Sequence, residues 1–200
     1  MANNLRVFDL INDYNNADLV KPSVSYVVEN DKVYYDDAPS PTFQGKWLAT
    51  YTGGTTSSAE CDSSSEIYQY DIDGIDLVSV EIGNCVTSIG DFAFIACESL
   101  TSINIPSSVT SIGESTFNGC HSLTSINIPS GVTSIGEYAF YYCSSLTSVT
   151  VEATTPPTLG FDAFDGSTCP IYVPSASVNA YKTATNWSEY ASRIQPIPTE

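Results

Sequence analysis

The chain has 200 residues, a length that suits one compact unit or two small ones. Hydrophobic residues make up 42% of it, enough to bury a core, while charged residues are sparse at 14% and the formal net charge is −17. All the Lys and Arg residues lie outside 47–181, which argues against nucleic acid or an anionic membrane as the partner, because phosphate binding depends on these two residue types.

The first 55 residues are predicted to form a small N-terminal segment that attaches the protein to a larger assembly. Two β-rich runs flank residues 29–32, a pattern typical of a β-hairpin. We assign attachment to the apolar and aromatic side chains of this hairpin, which are Val24, Tyr26, Val28, Val33, Tyr34 and Tyr35. Gly, Ser and Thr dominate 53–65, so we place a linker over 56–65.

The start of the chain does not resemble a targeting segment. It lacks the basic residues and apolar run of a secretory signal, and no stretch approaches the roughly 20 apolar residues of a membrane span. We therefore expect a protein that is made in a cytoplasm and has no membrane partner.

From Val86 onward the chain repeats itself with a period of 23 residues. Successive units begin at Val86, Val109 and Val132 with the same five letters, VTSIG. Phenylalanine and cysteine recur with the same step, at Phe94, Phe117 and Phe140 and at Cys97, Cys120 and Cys143. A fixed period of this length is the signature of a solenoid, in which each unit buries its apolar face against the next.

The pattern within a unit predicts its local structure. An Ile-x-Ile alternation indicates a short strand, which Pro106 and Pro129 end because proline cannot donate to a ladder. The segment that contains the phenylalanine is too short for a long helix and is predicted to be a helical turn. We predict a β-rich or α+β solenoid of about four units over 66–200. Its C-terminal cap starts at about 157, and Trp187 and Tyr190 cover the last open core.

The unit LTSINIPSSVTSIGESTFNGC resembles the leucine-rich repeats of the BspA type, which are common in surface proteins of gut and oral bacteria. The resemblance covers about 77–174, and the closing IYVPSASVNAYKTATNWSEYASRIQPI is similar to a cap found in such proteins of Bacteroidales. That family consists of adhesins and recognition modules, so the resemblance implies binding and supplies no catalytic residues. KPSVSYVVENDKVYY is similar to a segment near the start of surface and virion proteins from the same bacteria and their phages.

These resemblances and the expected cytoplasmic synthesis favour a phage structural protein, either a head fibre, a capsid decoration or a tail accessory. The N-terminal segment would bind other virion proteins, and the repeats would recognise a glycan or protein on the host surface. By analogy with fibres, a homotrimer is expected. Two alternatives stay open, a bacterial cell-surface adhesin and a capsid decoration without any ligand.

Two surfaces of the solenoid are candidate binding sites. The outward strand positions are small and neutral, which suits a glycan or a peptide; they are Ser102, Asn104, Ser125, Asn127, Ser148 and Thr150. The second surface is the edge that contains Ile95, Tyr138, Tyr141 and Tyr142, because surface tyrosines are efficient contact residues. The alternatives are that the strand residues only solvate the sheet and that the tyrosines only pack against the neighbouring turn.

No cofactor, metal site or enzymatic activity is expected. Asp71, Asp73 and Asp76 would suit a hard cation, but their spacing departs from the EF-hand loop, so a solvated strand edge is favoured. His121 is the only histidine, and the chain has no nucleophile elbow or phosphate loop.

The cysteines fall into two groups. Those of the repeats are expected to be stacked, buried thiols. The pairing of Cys61, Cys85 and Cys169 is left open.

Overall fold

The computed structural model describes residues 6–9, 26–29, 32–35, 45–69, 71–72, 74 and 76–199. The first strands are β1 (Arg6–Asp9), β2 (Tyr26–Glu29) and β3 (Lys32–Tyr35), which form an antiparallel sheet with β3 in the centre. Val and Tyr dominate β2 and β3, as expected for strands. Glu29 pairs with Lys32 where the two strands meet, which confirms the predicted hairpin.

The predicted attachment residues fall mainly on this hairpin. Val24 lies outside the described residues. The others lie on β2 and β3, namely Tyr26, Val28, Val33, Tyr34 and Tyr35. Attachment through them stays a prediction.

A second hairpin, formed by β4 (Trp47–Tyr51) and β5 (Thr56–Ala59), begins the large body of the protein. Trp47 and Ala49 are buried and join the hydrophobic core. The predicted linker over 56–65 differs from the structure here, because its first residues form β5. Thr-Ser-Ser-Ala has a loop-like composition but pairs in register with the more apolar β4, which supplies the buried face.

The remaining strands wind the solenoid in chain order. They are β6 (Glu66–Ile67), β7 (Leu77–Ile82), β8 (Ser88–Ile89), β9 (Ser102–Asn104), β10 (Ser111–Ile112), β11 (Ser125–Ile128), β12 (Ser134–Ile135), β13 (Ser148–Val151), β14 (Thr158–Leu159), β15 (Ile171–Val173) and β16 (Ile194–Pro196). Short even-numbered strands pair in parallel in the order β6-β8-β10-β12-β14. Each turn therefore places a residue beside its equivalent in the next unit, as in the pairing of Ser88 with Ser111.

Longer strands form a second column, in two ladders. β5-β4-β7-β9 is one, with β4 antiparallel to β7, and β11-β13-β15-β16 is the other. Over the described residues this column has six strands of the winding, from β7 to β16. The predicted solenoid is confirmed, and it has more turns than the four expected. The first and last turns lack the Phe and Cys signature, although Leu77, Val80 and Ile82 of β7 precede Leu100, Ile103 and Ile105 by one period.

The solenoid interior is built from stacked columns of identical residues. The rings of Phe94, Phe117, Phe140 and Phe164 lie nearly parallel, with centroids 5.3, 5.1 and 5.2 Å apart in succession. All four rings are buried. Burying each ring stabilises the fold by roughly 1.5 to 3 kcal/mol. The fold thus depends on repetition of one contact along the axis.

The segments that contain these phenylalanines are not the predicted helical turns. They are successive hydrogen-bonded turns, exemplified by the bonds from Ala93 N–H to Gly90 O and from Ile95 N–H to Phe92 O. Residues with positive φ, such as Phe92 and Ala96, interrupt any helix. The glycine before each segment is required by close approach, since a Cβ on Gly136 would lie 2.5 Å from the backbone nitrogen of Glu114.

The cysteines divide as their positions suggest. Cys97, Cys120 and Cys143 are stacked, buried thiols, as predicted, and Cys169 is a buried thiol as well. Cys61 and Cys85 form a disulfide with a Cα–Cα distance of 6.1 Å. It ties the segment after β5 to the turn after β7, so the β4–β5 hairpin is held to the first turn covalently as well as by hydrogen bonds.

The last turn is covered as the sequence predicts. Trp187 is fully buried, tilts over Phe164 and donates from Nε1 to the carbonyl oxygen of Pro157 at 2.8 Å. Tyr190 meets Phe164 edge-on. The one α-helix of the described residues, α1 (Val178–Thr183), contributes buried Tyr181, whose hydroxyl donates to Ala153 O at 2.7 Å. This helix is far too short to span a membrane, and the described part of the chain contains no helix that could.

Candidate functional site

The predicted strand face consists of two rows of outward side chains. Ser125 lies beside Ser148 and Asn127 beside Thr150 in the β11–β13 ladder. Ser102, Asn104, Ser125 and Asn127 are exposed, whereas Ser148 and Thr150 are half-buried. The alternation that predicts these outward positions is therefore observed.

Two features limit this face as a binding site. Asn127 Nδ2 donates to Glu152 Oε1 at 2.8 Å, so the side-chain amide of Asn127 is already hydrogen-bonded within the protein. The strand face also exposes little aromatic surface, because its aromatic residue, Tyr172 of β15, is half-buried beside Thr150. The strand face is a polar, solvated surface with few strong contact residues.

The tyrosine edge forms a compact aromatic cluster. Tyr138 meets Tyr141 edge-on at 5.4 Å between ring centroids, and Tyr141 meets Tyr142 at 4.3 Å. Phe161 of the next turn packs edge-on against Tyr138 at 6.0 Å. We call these four residues, Tyr138, Tyr141, Tyr142 and Phe161, the aromatic edge. Tyr142 and Phe161 remain 52% and 50% exposed, so half of each side chain is available to a partner.

Two of the tyrosines occupy backbone positions that disfavour a side chain. Tyr138 and Tyr142 each have a φ of 55°, in the left-handed region. The residues equivalent to Tyr142 in two other units are Gly119 and Gly166, with φ of 76° and 83°. A non-glycine residue in this region costs about 1 to 2 kcal/mol. Tyr142 therefore keeps an exposed aromatic ring at a position where neighbouring turns have the less strained glycine.

The surroundings of Tyr142 hold it in place. A Cβ on Gly166 would lie 2.7 Å from Tyr142 Cδ1, so the missing side chain of Gly166 leaves the space that the tyrosine occupies. Tyr142 N–H donates to Asp165 O at 2.8 Å. His121 Nδ1 is 3.0 Å from the carbonyl oxygen of Tyr142 and donates to it. Exposed His121 is thus a support of the aromatic edge.

Carboxylates of the same turn lie against the aromatic edge. The pKa of Tyr141 is raised mainly by the hydrogen bond between Tyr141 and Tyr142, and the charges of Asp162 and Asp165 raise it further. Burial raises the pKa of Asp162 above its usual value, and the adjacent Asp165 adds to this rise. Asp165 accepts a hydrogen bond from the Tyr190 hydroxyl at 3.2 Å. The local field is negative, since these groups destabilise one another's anions.

An acidic row leads into the aromatic edge. Asp91, Glu114 and Glu137 occupy equivalent positions after the glycine of successive turns, and Phe161 occupies that position in the next turn. The side chains of Asp91, Glu114 and Glu137 are exposed. An open groove of about 430 Å³ runs along them, bounded by Gly113, Gly136 and Gly160 among others. Glu137 and Gly160 of the groove are the chain neighbours of Tyr138 and Phe161 of the aromatic edge.

The remaining sequence candidates are not brought into a site. Asp71 Oδ2 accepts from Tyr68 N–H at 2.7 Å, and Asp73 lies outside the described residues. Among the described residues, no three His, Cys, Asp or Glu side chains are grouped so that they could hold a metal ion.

Comparison with known proteins identifies the repeats. The family model described as the BspA type leucine rich repeat region matches residues 65–190 in six copies. That range covers more than half of the chain. A search of curated proteins found no match.

Similar solved structures include two repeat proteins. A leucine rich cell surface protein from Faecalibacterium prausnitzii A2-165 is 23% identical, with a TM-score of 0.47 over 75% of this chain and 41% of its own. A leucine-rich repeat protein from Bacteroides ovatus ATCC 8483 is 21% identical, with a TM-score of 0.34 over 80% of this chain and 60% of its own. The chain thus spans less than two thirds of either protein.

Sequence reasoning found the tyrosines but missed Phe161 and its carboxylate neighbours. The insertion at 154–157 shifts the fourth unit, so that Phe161 is 24 rather than 23 residues after Glu137. Alignment on the glycines would have revealed it, because Gly160 follows β14 as Gly136 follows β12.

Proposed function

The chain belongs to the BspA-type leucine-rich repeat family, and from this premise we propose that it is a non-enzymatic recognition protein that binds a macromolecular partner through its aromatic edge. The observation that carries the proposal is the exposure of this edge. Large apolar side chains exposed in the described residues are Tyr68, Ile95, Tyr142 and Phe161, and all but Tyr68 lie on the turn edge of the repeats. Exposed aromatic side chains grouped in this way mark interaction sites.

We propose that the protein is displayed outside the reducing cytoplasm, at a bacterial cell surface. The disulfide between Cys61 and Cys85 supports this location, because disulfides form and persist in oxidising compartments. The family resemblance to surface adhesins supports it too. Protease treatment of intact cells tests the location. Loss of the protein from protease-treated but unlysed cells, and not from untreated cells, supports surface display, and full protection contradicts it.

A phage particle is the second candidate for the displaying surface. The observation that favours it is the N-terminal segment, whose predicted hairpin is present and whose sequence resembles the start of virion proteins. In that case residues 1–45 attach the protein to other virion proteins. Deletion of this segment then removes the protein from purified particles. Native protein that never sediments with particles would contradict this role.

Binding to cells tests the recognition proposal. The fluorescent full-length chain is added to host epithelial and gut bacterial cells and measured by flow cytometry. We expect saturable binding that the double variant Tyr142→Ser, Phe161→Ser lowers at least about tenfold, since a few central aromatic contacts dominate most interfaces. Unfolding midpoints of both proteins serve as the folding control.

The strand face supplies the matched comparison. Asn104→Arg with Asn127→Arg places two large side chains on that face and leaves the aromatic edge intact. We expect this variant to bind cells as the wild type does. If instead the arginine variant loses binding and the edge variant keeps it, the strand face is the binding site and our proposal is wrong.

A further inference from the structure

The surface next to the aromatic edge is unusually poor in cations. Residues 47–181 contain no Lys or Arg, whereas this stretch supplies Asp91, Glu114, Glu137, Asp162 and Asp165. Within the described residues, Lys46, directly before β4, pairs with Asp62, and Arg193 donates to the carbonyl oxygens of Cys169 and Ser167. Of the basic residues whose side chains are described, Lys46, Lys182 and Arg193, none forms an ion pair with a carboxylate of the groove.

The geometry joins this charge to exposed ring faces. Parallel strands place equivalent residues about 4.8 Å apart along the axis. The row Asp91, Glu114, Glu137 therefore presents a carboxylate at each successive turn, and Phe161 follows in the next. Beside this row, the position of Tyr138 is occupied by Asp162 in the next turn, and the position of Tyr141 is occupied by Asp165. Each of these two tyrosines thus has a carboxylate at the equivalent position one turn away.

This combination has a definite chemical preference. Aromatic faces attract Lys and Arg through the ring quadrupole, and Arg does so most often. Carboxylates bind the guanidinium group in the same site through charge-assisted hydrogen bonds. A neutral sugar would use the aromatic surface but would leave the carboxylate row without counterions, and an anionic partner would be repelled by the net charge of −17.

We propose that the acidic groove and the aromatic edge together bind an extended, arginine-bearing segment of a partner protein. This inference rests on the proposed function and names the class of partner. Arginine side chains of the segment would lie over Tyr142 and Phe161, and further cations would follow the row from Glu137 to Asp91. Charge complementarity favours this occupant, and so do the half-exposed rings of Tyr142 and Phe161, of which Tyr142 is kept at a strained backbone position.

A short fluorescent peptide of alternating Arg and Ser tests the proposal, with the full-length chain titrated by fluorescence anisotropy. Peptides of the same length with Gln or Glu in place of Arg are the probes for neutral and acidic ligands. We expect saturable one-site binding of the Arg peptide, weakened by salt, and no binding of the Gln and Glu peptides.

Matched variants separate this site from general attraction to an acidic protein. Tyr142→Gly changes no charge and suits the backbone, and we expect it to weaken Arg-peptide binding about tenfold, as the loss of one desolvated cation–π contact predicts. Glu137→Gln and Glu60→Gln each remove one exposed carboxylate. Only Glu137→Gln should weaken binding, by about three- to tenfold.

Two results would overturn the inference. Equal weakening by Glu60→Gln and Glu137→Gln, with no effect of Tyr142→Gly, would show diffuse attraction to the whole chain. Absence of Arg-peptide binding, in a protein whose binding to cells still depends on Tyr142 and Phe161, would refute the cationic partner and leave the proposed function intact. If cell binding does not depend on the edge, the proposed function itself fails.

Discussion

The inner phenylalanine column and the aromatic edge are built from the same turns, and they differ in which way their rings point. Phe140 and Phe164 lie in the inner column and are completely buried, whereas Tyr142 and Phe161 lie two and three residues from them and are half exposed. The inner column repeats in every regular unit, and the aromatic edge occurs only where the third and fourth units meet. Regular repetition thus identifies the scaffold, and the departure from repetition identifies the surface that can distinguish partners.

The largest effect that separates these regions is expected in the middle of the inner column. Phe117 is fully buried between Phe94 and Phe140. Phe117→Ala should lower the free energy of unfolding by about 3 to 5 kcal/mol, because it removes a large side chain and leaves a cavity. Urea unfolding measures the change. Phe117→Leu keeps most of the volume and should lower stability much less; equal losses in the two variants would contradict the cavity explanation.

Removal of the disulfide should have the next largest effect. Cys61 and Cys85 enclose a loop with a sequence separation of 24, for which chain entropy predicts about 3 kcal/mol. Cys61→Ser with Cys85→Ser should therefore lower the unfolding free energy by this amount. A reductant should destabilise the wild type similarly and leave the double variant unchanged. Insensitivity of the wild type to reductant would show that the bond is not formed.

The buried thiols predict that stability depends on pH in the alkaline range. Burial raises the pKa of Cys143 from its usual 9.0 to about 12. Between pH 9 and pH 12 the Cys143 thiol loses its proton in the unfolded chain and keeps it in the folded chain. Rising pH therefore lowers the free energy of unfolding by up to about 1.4 kcal/mol per pH unit for this group. Stability measured from pH 9 to pH 12 should fall, with a shallower slope in Cys143→Ala. The same slope in both proteins would exclude this thiol as a cause.

At the aromatic edge, a substitution should raise stability slightly. Tyr142 has a φ of 55°, and glycine adopts such a conformation without strain. Tyr142→Gly should raise the unfolding free energy by about 1 kcal/mol, less whatever its ring contacts with Tyr141 contribute. The matched substitution Tyr181→Gly, at a helical and fully buried tyrosine, should instead destabilise strongly. A large loss of stability in Tyr142→Gly would place this residue in the scaffold.

The sequence predicts the solenoid well because the same pattern of apolar and polar residues occurs in three successive units. Inward residues, the outward strand residues and the cover supplied by Trp187 and Tyr190 all follow from the period and from the need to close an open core. Tyr138, Tyr141 and Tyr142 could be predicted as binding residues because the repeat positions that they occupy vary from unit to unit. These features are encoded locally.

Other features depend on contacts that a period does not encode. The β4–β5 hairpin belongs to the solenoid sheet through its pairing with β7, although its composition at 56–59 suggests a loop. The partner of Cys61 is decided by proximity in space and not by its spacing from Cys85 along the chain. Phe161 is hidden by the insertion before it, and the strain at Tyr142 is visible only in the backbone dihedral angles.

One measurement tests the division between scaffold and edge most directly, the comparison of Phe161→Ala with Phe164→Ala. These phenylalanines are three residues apart in the same turn, and their exposed fractions are 50% and 0%. We predict that Phe164→Ala lowers the unfolding free energy by about 3 to 5 kcal/mol and that Phe161→Ala changes it by no more than about 0.5 kcal/mol. Phe161→Ala should nevertheless weaken partner binding. Similar losses of stability in the two variants, with partner binding unchanged in Phe161→Ala, would contradict the account.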